Sequence, residues 1–409
     1  MKWGRFTGFL LLFSILFSAL NPLQGSIGSR RWKTFYQLPP NSLDMIYVGN
    51  SHNYSAINPQ VIDDILNINS YIIGIPGDTI VVTYYEVKEA LKTQSPRAFM
   101  IETYVLDLLS DQLTQHGYYY RFLDAAPFSI DKIPLIIELS YPDNLKDIFP
   151  ALRTRVEWEN PSFYFNKLKK LIKNRNKPAI IDNTKGEIVL TDVISSADYQ
   201  ETVERSFSDF NQAPAENREY LEKTLELLQQ HNVIPIFATT PILQVPDLSR
   251  EIYAPMDKTI LTNKYGLDIH NFDQQHFTQL HFYDFNHLNA FGSIIISTEM
   301  AIKFSEQLSI PPDQKVLQYY RTYYFDEFDI VQSEGEALFT LYPSDPKAPL
   351  LYSWTVKKGK TTLLETEYQP DNAVTFPTPE VGTYKIQVQI WNPEGDFVLE
   401  GKFTHVVGE

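Results

Sequence analysis

The sequence predicts an α/β domain with a parallel sheet, a C-terminal all-β sandwich and an N-terminal apolar helix. Three observations predict this arrangement. Between residues 44 and 310, continuously apolar segments alternate with segments of helical periodicity, which is typical of a parallel sheet covered on both faces. From Gly335 onward, short segments of alternating apolar and polar residues are separated by turn signals, as in antiparallel strands with one buried face. Residues 1–25 contain an apolar run that begins beside basic side chains.

The composition narrows the classes of function. The chain has 409 residues, a formal net charge of −15 and no cysteine. The negative charge argues against nucleic acid as the main partner, because phosphate binding needs a basic surface. The absence of cysteine excludes disulfides, thiolate catalysis and zinc sites with Cys ligands. We expect neither a metal nor another cofactor.

The first 25 residues resemble an export segment. Lys2 and Arg5 precede the apolar run of residues 6–20, as the charged and apolar regions of an export signal do. Extended to Leu23, the run approaches the length of a short membrane anchor. Because large apolar residues stand where a cleavage site needs small ones, an uncleaved anchor is favoured over a cleaved signal peptide. A buried helix is the alternative; either export reading predicts a membrane-anchored or secreted protein, outside the cytoplasm.

The elements of the α/β domain follow in order after a polar stretch, residues 26–43, that we interpret as a stalk. The strands are predicted in "MIYVG", "SYIIGIPG", "RAFMIETYV" and "VIPIFATTP", and the helices in "NPQVIDDILN", "VVTYYEVKEALKTQ", "ENREYLEKTLELLQQHN" and "NAFGSIIISTEMAIKFSEQL". Ligands of such sheets bind at the carboxyl ends of the strands. Ser51 lies at the end of the first strand, and is therefore a candidate functional residue.

Residues 106–215 fit the alternation poorly, and we interpret them as an insertion that forms a cap or lid. They include a basic amphipathic run at 164–177. This run is either a solvated helix face or a contact for an anionic polymer or lipid headgroup.

The C-terminal region, residues 335–409, is predicted to be a small β-sandwich after a linker at 311–334. Tyr352, Trp354 and Val356 share one face of a strand, and a second strand, "GTYKIQVQIWN", alternates in the same way. These two strands resemble those of immunoglobulin-like domains appended to bacterial surface proteins. Because no cluster of titratable residues is evident in this region, the expected roles are docking, carbohydrate contact or spacing.

The candidate chemistry depends on a second motif, "HFYDFNHLNAFGS". A serine nucleophile needs a base within hydrogen-bond reach, and the base needs a carboxylate that fixes its tautomer. Asp284 and His287, three residues apart just before the last helix, can supply both groups to Ser51. Ser51 could instead be a turn or N-cap residue, His287 a capping or core residue, and Asp284 the N-cap of the last helix.

A strand-end Gly-x-Ser near the N-terminus and a late Asp-x-x-His before a C-terminal helix resemble the SGNH (GDSL-type) hydrolase superfamily. The resemblance implies a three-layer α/β/α, flavodoxin-like fold, with Ser51 as the nucleophile, His287 as the base and Asp284 as its orienting carboxylate. The version "GNSH…DFNHLNAFG" is similar to membrane-anchored members that modify surface polymers, the D-alanine transfer proteins of teichoic acid and the polysaccharide O-acetyltransferases. It implies acyl transfer through an acyl-serine to a cell-envelope glycan or teichoic-type polymer, with a membrane protein as a possible acyl donor.

The sequence also departs from the family pattern. Asn50 stands where the first block has Asp, and the Gly-x-Asn-Asp block, whose Asn lends an oxyanion donor, has no match. The candidate oxyanion donors are the backbone N–H of Ser51, that of Gly77 with Gly74 as its rival, and Tyr104 or Thr103 in place of the missing Asn.

The sequence leaves other roles open for several polar residues. His276, His281 and Asp284 could be metal ligands, and His52 could lie behind the site or on the surface. Glu102 could be a second acid or base, or one partner of an ion pair. The rival functions are a carbohydrate esterase of the same fold and a non-catalytic surface-binding protein with a degenerate hydrolase domain.

Overall fold

The computed structural model describes residues 29–106, 118–126, 132–139, 169, 184–195, 215–243, 266, 269–272, 277–378 and 380–407. The predicted export segment, the basic run at 164–177 apart from Lys169, and most of the predicted insertion lie outside these residues. Within the described ranges, none of the helices combines the length and the apolar character needed to cross a membrane.

A parallel sheet forms the centre of the first domain. Its strands are β1 (Met45–Val48), β2 (Ser70–Ile72), β3 (Ala98–Glu102), β4 (Ile234–Thr239) and β5 (Ile269–Asn271). They lie in the order β2-β1-β3-β4-β5, and every neighbouring pair is parallel. This confirms the predicted α/β class.

The helices described are α1 (Arg30–Phe35), α2 (Ser51–Ala56), α3 (Pro59–Leu66), α4 (Ile80–Ala90), α5 (Tyr120–Leu123), α6 (Lys132–Leu139), α7 (Ala215–Gln230), α8 (Ala290–Leu308) and α9 (Gln314–Arg321). Short 3₁₀ turns cover Thr103–Leu106 and Gln279–His281.

Successive strand residues point to opposite faces of the sheet, and each face is covered by helices. In β1, Ile46 and Val48 belong to an apolar cluster shared with α4 and α7. Met45 and Tyr47 belong to a second cluster shared with α3 and α8. The sheet therefore lies between two helical layers, which explains why its strands are apolar without alternation.

The predicted stalk is wrong for residues 29–43. They include α1, whose Trp32 and Phe35 are fully buried in the apolar cluster of α4 and α7. Trp32 Nε1 donates a hydrogen bond to Glu86 on α4 at 2.7 Å. The many polar residues of the stretch masked two aromatic anchors, and burial of such side chains dominates local packing.

Seven strands form the C-terminal sandwich: β6 (Phe325–Ser333), β7 (Glu336–Pro343), β8 (Leu351–Lys358), β9 (Thr361–Glu365), β10 (Ala373–Pro377), β11 (Gly382–Trp391) and β12 (Phe397–Val407). They make two antiparallel sheets of order β10-β7-β6 and β12-β11-β8-β9. Tyr352, Trp354 and Val356 are buried on one face as predicted. The sandwich begins earlier than predicted, because β6 already lies within the expected linker. The linker also contains α9, whose Leu317 packs in the cluster of α3 and α8.

The sandwich packs directly against the α/β domain. Phe291 of α8 and Leu280 lie in the same apolar cluster as the sandwich core. The His281 ring donates through Nε2 to the carbonyl of Phe325 at 2.7 Å, and Thr278 Oγ1 donates to the carbonyl of Asp326 at 2.8 Å. The segment 277–289 is thus attached to the first strand of the sandwich.

Candidate active site

The strand order reverses between β1 and β3, and the chain segments that follow these strands meet there. In doubly wound sheets, ligands bind at such a switch point, outside the carboxyl ends of the strands. Gly49 follows β1 with a φ of +155°, and a Cβ built on it would lie 2.6 Å from Cβ of Glu102 at the end of β3. A Cβ on Gly74, after β2, would lie 2.1 Å from the Gly49 carbonyl oxygen. Only glycine allows these three segments to approach so closely.

Ser51 is the first residue of α2, directly after this turn. The N-cap is Asn50, whose Oδ1 accepts a hydrogen bond from the backbone N–H of His52 at 3.0 Å. Asparagine and aspartate are equally good N-caps, so Asn50 caps α2 as well as an Asp would. The capping holds Ser51 in the crevice above β1.

The three residues predicted as a triad lie together. Ser51 Oγ is 2.7 Å from His287 Nε2, and His287 Nδ1 is 2.9 Å from each carboxylate oxygen of Asp284. The backbone N–H groups of Asn286 and His287 also donate to Asp284 Oδ1, at 2.8 and 2.9 Å. The carboxylate therefore closes its own turn while it orients the imidazole.

The electrostatics fit this arrangement. Burial would raise the pKa of Asp284, but the hydrogen bond and charge of His287, together with the backbone N–H groups of the turn, hold it below its usual value. Asp284 is thus an anion at neutral pH. An anionic acceptor places the His287 proton on Nδ1, which leaves the Nε2 lone pair to accept from the Ser51 hydroxyl.

Asp284 is not the N-cap of the last helix. The N-cap of α8 is Asn289, whose side chain accepts from the N–H groups of Phe291 and Gly292. Its amide also donates to the carbonyls of Leu280 and Phe282. One side chain therefore starts the helix and fixes the segment that carries the Asp284 and His287 turn.

His52 lies behind the base and not on the open surface. Its ring centroid is 5.2 Å from that of His287 and 4.4 Å from that of Tyr104. Burial, with a smaller contribution from the His287 charge, lowers the pKa of His52 to about 3. The residue as a whole keeps some exposure, although its Nδ1 atom is buried. His52 is therefore a neutral ring between Tyr104 and the base.

The candidate oxyanion donors differ in whether their N–H or hydroxyl groups already form other hydrogen bonds. Gly77 lies in the turn after β2 with a φ of +61°. The N–H of Tyr104 donates to Glu102 Oε2 at 3.1 Å, so only the Tyr104 hydroxyl could act as an oxyanion donor. The Thr103 hydroxyl is paired with that of Thr239 at 2.7 Å. Gly74 serves the close packing against Gly49.

Two of the alternative roles lose support. Glu102 is fully buried beneath Gly49 and accepts the Tyr104 N–H, which is a structural role. His281 uses both ring nitrogens, Nδ1 as acceptor from the Thr278 N–H and Nε2 as donor to the Phe325 carbonyl. His276 lies outside the described residues. Among the residues that the structure describes, no group of three or more His, Asp or Glu side chains could hold a metal ion.

Sequence reasoning missed Arg31. It is almost fully buried on α1, with its guanidinium 3.7 Å above the ring centroid of Tyr54, a residue of α2. Arg31 Nε also donates to the carbonyl of Gly74 at 3.2 Å. No pattern in the sequence distinguishes it from Arg30 beside it, because its burial and contacts come from the long-range packing of α1.

Neither family models nor curated proteins match this chain. Among solved structures, domains d3–d4 of the rat CD45 extracellular region are similar at 15% identity and a TM-score of 0.18. The similarity covers 20% of this chain and 48% of the CD45 chain, so it spans about half of the latter.

Two further structures are similar over equally short stretches. The PKD1 domain of the Vibrio cholerae metalloprotease PrtV has 18% identity and a TM-score of 0.16, over 20% of this chain and 94% of its own. The fibronectin type-III domain of human fibronectin type III domain containing protein 3 has 16% identity and a TM-score of 0.15, over 20% of this chain and 83% of its own. Likenesses at this level carry no argument about function, which depends on the geometry above.

Proposed function

We propose that the chain is a serine-dependent acyltransferase of SGNH type that acts outside the cytoplasm on a cell-envelope polysaccharide or teichoic-type polymer. The observation that carries this proposal is the 2.7 Å contact between Ser51 Oγ and His287 Nε2, with Asp284 on the other side of the ring. Nucleophile, base and orienting carboxylate in hydrogen-bond sequence are the arrangement that acyl-serine chemistry requires.

In the first half-reaction, Ser51 Oγ attacks the carbonyl carbon of the acyl donor while its proton passes to His287 Nε2. Asp284 stabilises the imidazolium. The N–H groups of Ser51 and Gly77 are the proposed donors to the oxyanion, which needs donors about 3 Å away. The imidazolium then returns its proton to the departing oxygen, and acyl-Ser51 remains.

In the second half-reaction, a polymer hydroxyl donates its proton to His287 and attacks the acyl-serine. Ser51 recovers its proton as the ester transfers. The polymer class, the extracytoplasmic location and a membrane protein as acyl donor are implied by the resemblance of "GNSH…DFNHLNAFG" and by the apolar N-terminal run.

A carbohydrate esterase is the second candidate, and solvent access favours it. The side chains of His287 and Asp284 are 22% and 37% exposed, so water can reach the base. Water would then resolve the acyl-enzyme in place of a sugar hydroxyl. The complete hydrogen-bonded triad favours either enzyme over a non-catalytic surface protein.

The test is labelling of the full chain with a fluorophosphonate, followed by mass spectrometry of the modified peptide. We expect modification at Ser51 that Ser51→Ala and His287→Ala abolish. Ser305→Ala, a serine of α8 that donates only to the carbonyl of Ile302, is the matched control and should label like wild type. Failure of the wild type to label, or equal labelling of Ser51→Ala, would refute the proposal.

Acyl transfer and hydrolysis can be distinguished with p-nitrophenyl acetate as the acyl donor. Transfer predicts that an added oligosaccharide acceptor becomes acetylated and that p-nitrophenol release accelerates. Free acetate as the sole product, at a rate independent of acceptor, would favour the esterase.

A further inference from the structure

A buried charged cluster lies beside the candidate active site and takes no part in the chemistry proposed above. Its members are Arg31 of α1, Asp78 in the turn between β2 and α4, and Glu86 of α4. They are 7%, 0% and 0% exposed. Groups of this kind stay buried only when their charges and hydrogen bonds are satisfied.

The hydrogen bonds account for only one oxygen of each carboxyl group. Glu86 Oε1 accepts from Trp32 Nε1 at 2.7 Å, and Asp78 Oδ2 accepts from Thr83 Oγ1 at 3.2 Å. Glu86 Oε2 and Asp78 Oδ1 are buried and find no N–H or hydroxyl donor among the described side chains and backbone. The two carboxyl groups act on each other, and two such acceptors can form a hydrogen bond away from water only when one of them carries a proton.

The balance of charges within the cluster also requires one proton on the carboxyl pair. Two carboxylates and one guanidinium would leave one negative charge uncompensated away from water. One bound proton makes the cluster neutral, and an uncompensated buried charge is far more costly than a protonated acid. Burial accordingly raises the pKa of Asp78 to about 7 and that of Glu86 well above its usual range, the latter reinforced by the Asp78 charge.

The other titratable groups around the cluster do not replace this proton. Tyr36 lies near Glu86, and its hydroxyl donates to Glu89. Tyr54 and Tyr71 face Arg31, and Arg121 acts on Tyr54. Burial raises the pKa of Tyr36 and Tyr54 above the usual value, so both are neutral near pH 7. The balance among Arg31, Asp78 and Glu86 is therefore local.

The cluster contacts both loops of the candidate site. Arg31 donates to the Gly74 carbonyl and lies over the ring of Tyr54, which is one helical turn after Ser51. Asp78 directly follows Gly77, and its carboxyl group is held by the Thr83 hydroxyl of α4. Movement of either group would shift the serine or the proposed oxyanion donor.

We infer that Arg31, Asp78 and Glu86 form a charge-neutral buried cluster, with one proton shared between the two carboxyl groups, that positions the loops carrying Ser51 and Gly77. These are positioning residues, since none of them touches the reacting atoms. The inference deepens the proposed function and rests on it for the role of Ser51. The presence of the shared proton does not depend on the proposed function.

The first experiment therefore detects the shared proton directly and does not depend on enzymatic activity. Infrared difference spectra of the full chain near neutral pH should show the C=O stretch of a protonated carboxylic acid that shifts on deuteration. Glu86→Gln should remove this band, because the amide keeps an acceptor for Trp32 and supplies an N–H to Asp78. Glu89→Gln, one turn further along α4, is the matched control and should keep it. A wild type without the band would overturn the shared proton.

Thermal unfolding against pH gives a second readout. A carboxyl group whose pKa is raised on folding holds its proton more tightly in the native state, so it stabilises below the unfolded value and loses that stabilisation as pH rises. For this pair the window runs from about pH 4.5 through about 7 and above. Wild type should lose Tm across it, whereas Glu86→Gln should lose less and be the more stable above pH 8. A Glu86→Gln protein that is less stable than wild type at every pH would overturn the inference.

The rate of fluorophosphonate labelling at Ser51 tests the positioning. Arg31→Gln should label about tenfold to a hundredfold more slowly, the scale expected for a small misplacement of a nucleophile, and Arg31→Lys should recover part of the loss. In wild type the rate should fall at alkaline pH as the shared proton leaves, and Glu86→Gln should remove that fall. Normal Ser51 labelling in Arg31→Gln would refute the positioning role while the proposed function stands. An infrared band without any Ser51 labelling would instead refute the proposed function and leave the cluster.

Discussion

Replacing Asp284 with Asn would test whether this carboxylate sets the tautomer of His287. Both Asp284 oxygens lie 2.9 Å from His287 Nδ1, and Oδ1 also accepts two backbone N–H groups. In the variant, the amide oxygen would keep the backbone hydrogen bonds and the NH₂ group would face Nδ1. Nδ1 would then have to accept, which moves the ring proton to Nε2. A protonated Nε2 of a neutral ring cannot take the proton of Ser51.

The expected loss of activity is large, because the variant preserves the geometry of the site but turns His287 Nε2 from a proton acceptor into a donor. Triads in which the carboxylate becomes an amide lose about 10⁴-fold in turnover, which corresponds to about 5.5 kcal/mol of transition-state stabilisation. Removing Ser51 or His287 should cost at least as much, since the three residues act as a unit. The fold should be preserved, because Asn closes the same type of turn as Asp.

The assay is the second-order rate of fluorophosphonate labelling, with the release of p-nitrophenol from its acetate as a second measure. Asp313→Asn is the matched control, because Asp313 is the N-cap of α9 and Asn caps equally well. The control should keep the wild-type rate and both proteins should keep their Tm. An Asp284→Asn protein within tenfold of wild type would refute the assignment of Asp284 as the orienting carboxylate.

Three further predictions concern the surroundings of the triad. Gly49→Ala should lower Tm and abolish labelling, because the added Cβ would lie 2.6 Å from Cβ of Glu102; wild-type Tm and labelling would contradict the close packing. His281→Phe should destabilise by about 1–3 kcal/mol for each buried partner left unpaired, among them the Phe325 carbonyl, in denaturant unfolding; an unchanged midpoint would show that the link to the sandwich is unimportant. Because the pKa of His52 is about 3 in the folded protein against 6.5 as its reference, the native state loses stability as pH falls from about 6.5 towards 3. His52→Phe should reduce that loss in unfolding at successive pH values, and an identical pH dependence would refute the buried neutral ring.

Most of the α/β domain follows from periodicity in the sequence. The apolar strands and the helix starting at Asn58 and Pro59 were predictable because a covered parallel sheet and an Asn-Pro helix start leave local signals. The α1 helix and β6 were not. The pattern of α1 is dominated by polar residues, and β6 exposes most of its residues, so its edge-strand character leaves no alternation to detect. Both elements are defined by long-range packing.

The residues of the candidate site also differ in whether the sequence could predict them. Ser51, Asp284 and His287 could be selected because each stands in a short motif with a chemical reason for its spacing. Arg31 could not, because its contacts to Gly74 and Tyr54 join segments that are distant in sequence. The role of Glu102 could not be predicted either, because only the structure shows that its Cβ lies against Gly49 and that its carboxylate accepts the backbone N–H of Tyr104.

The sandwich and the triad are connected through the segment 277–289. His281 is attached to β6 through the Phe325 carbonyl, and a Cβ on Gly292 of α8 would lie 2.6 Å from the His281 carbonyl oxygen. The turn that carries Asp284 and His287 is therefore held between α8 and the sandwich. Phe291 extends the contact, since it shares the apolar cluster of the sandwich core. A chain truncated before residue 325 would expose this cluster and release His281, so loss of Ser51 labelling in it would report a displaced base and would not show that the sandwich binds the polymer.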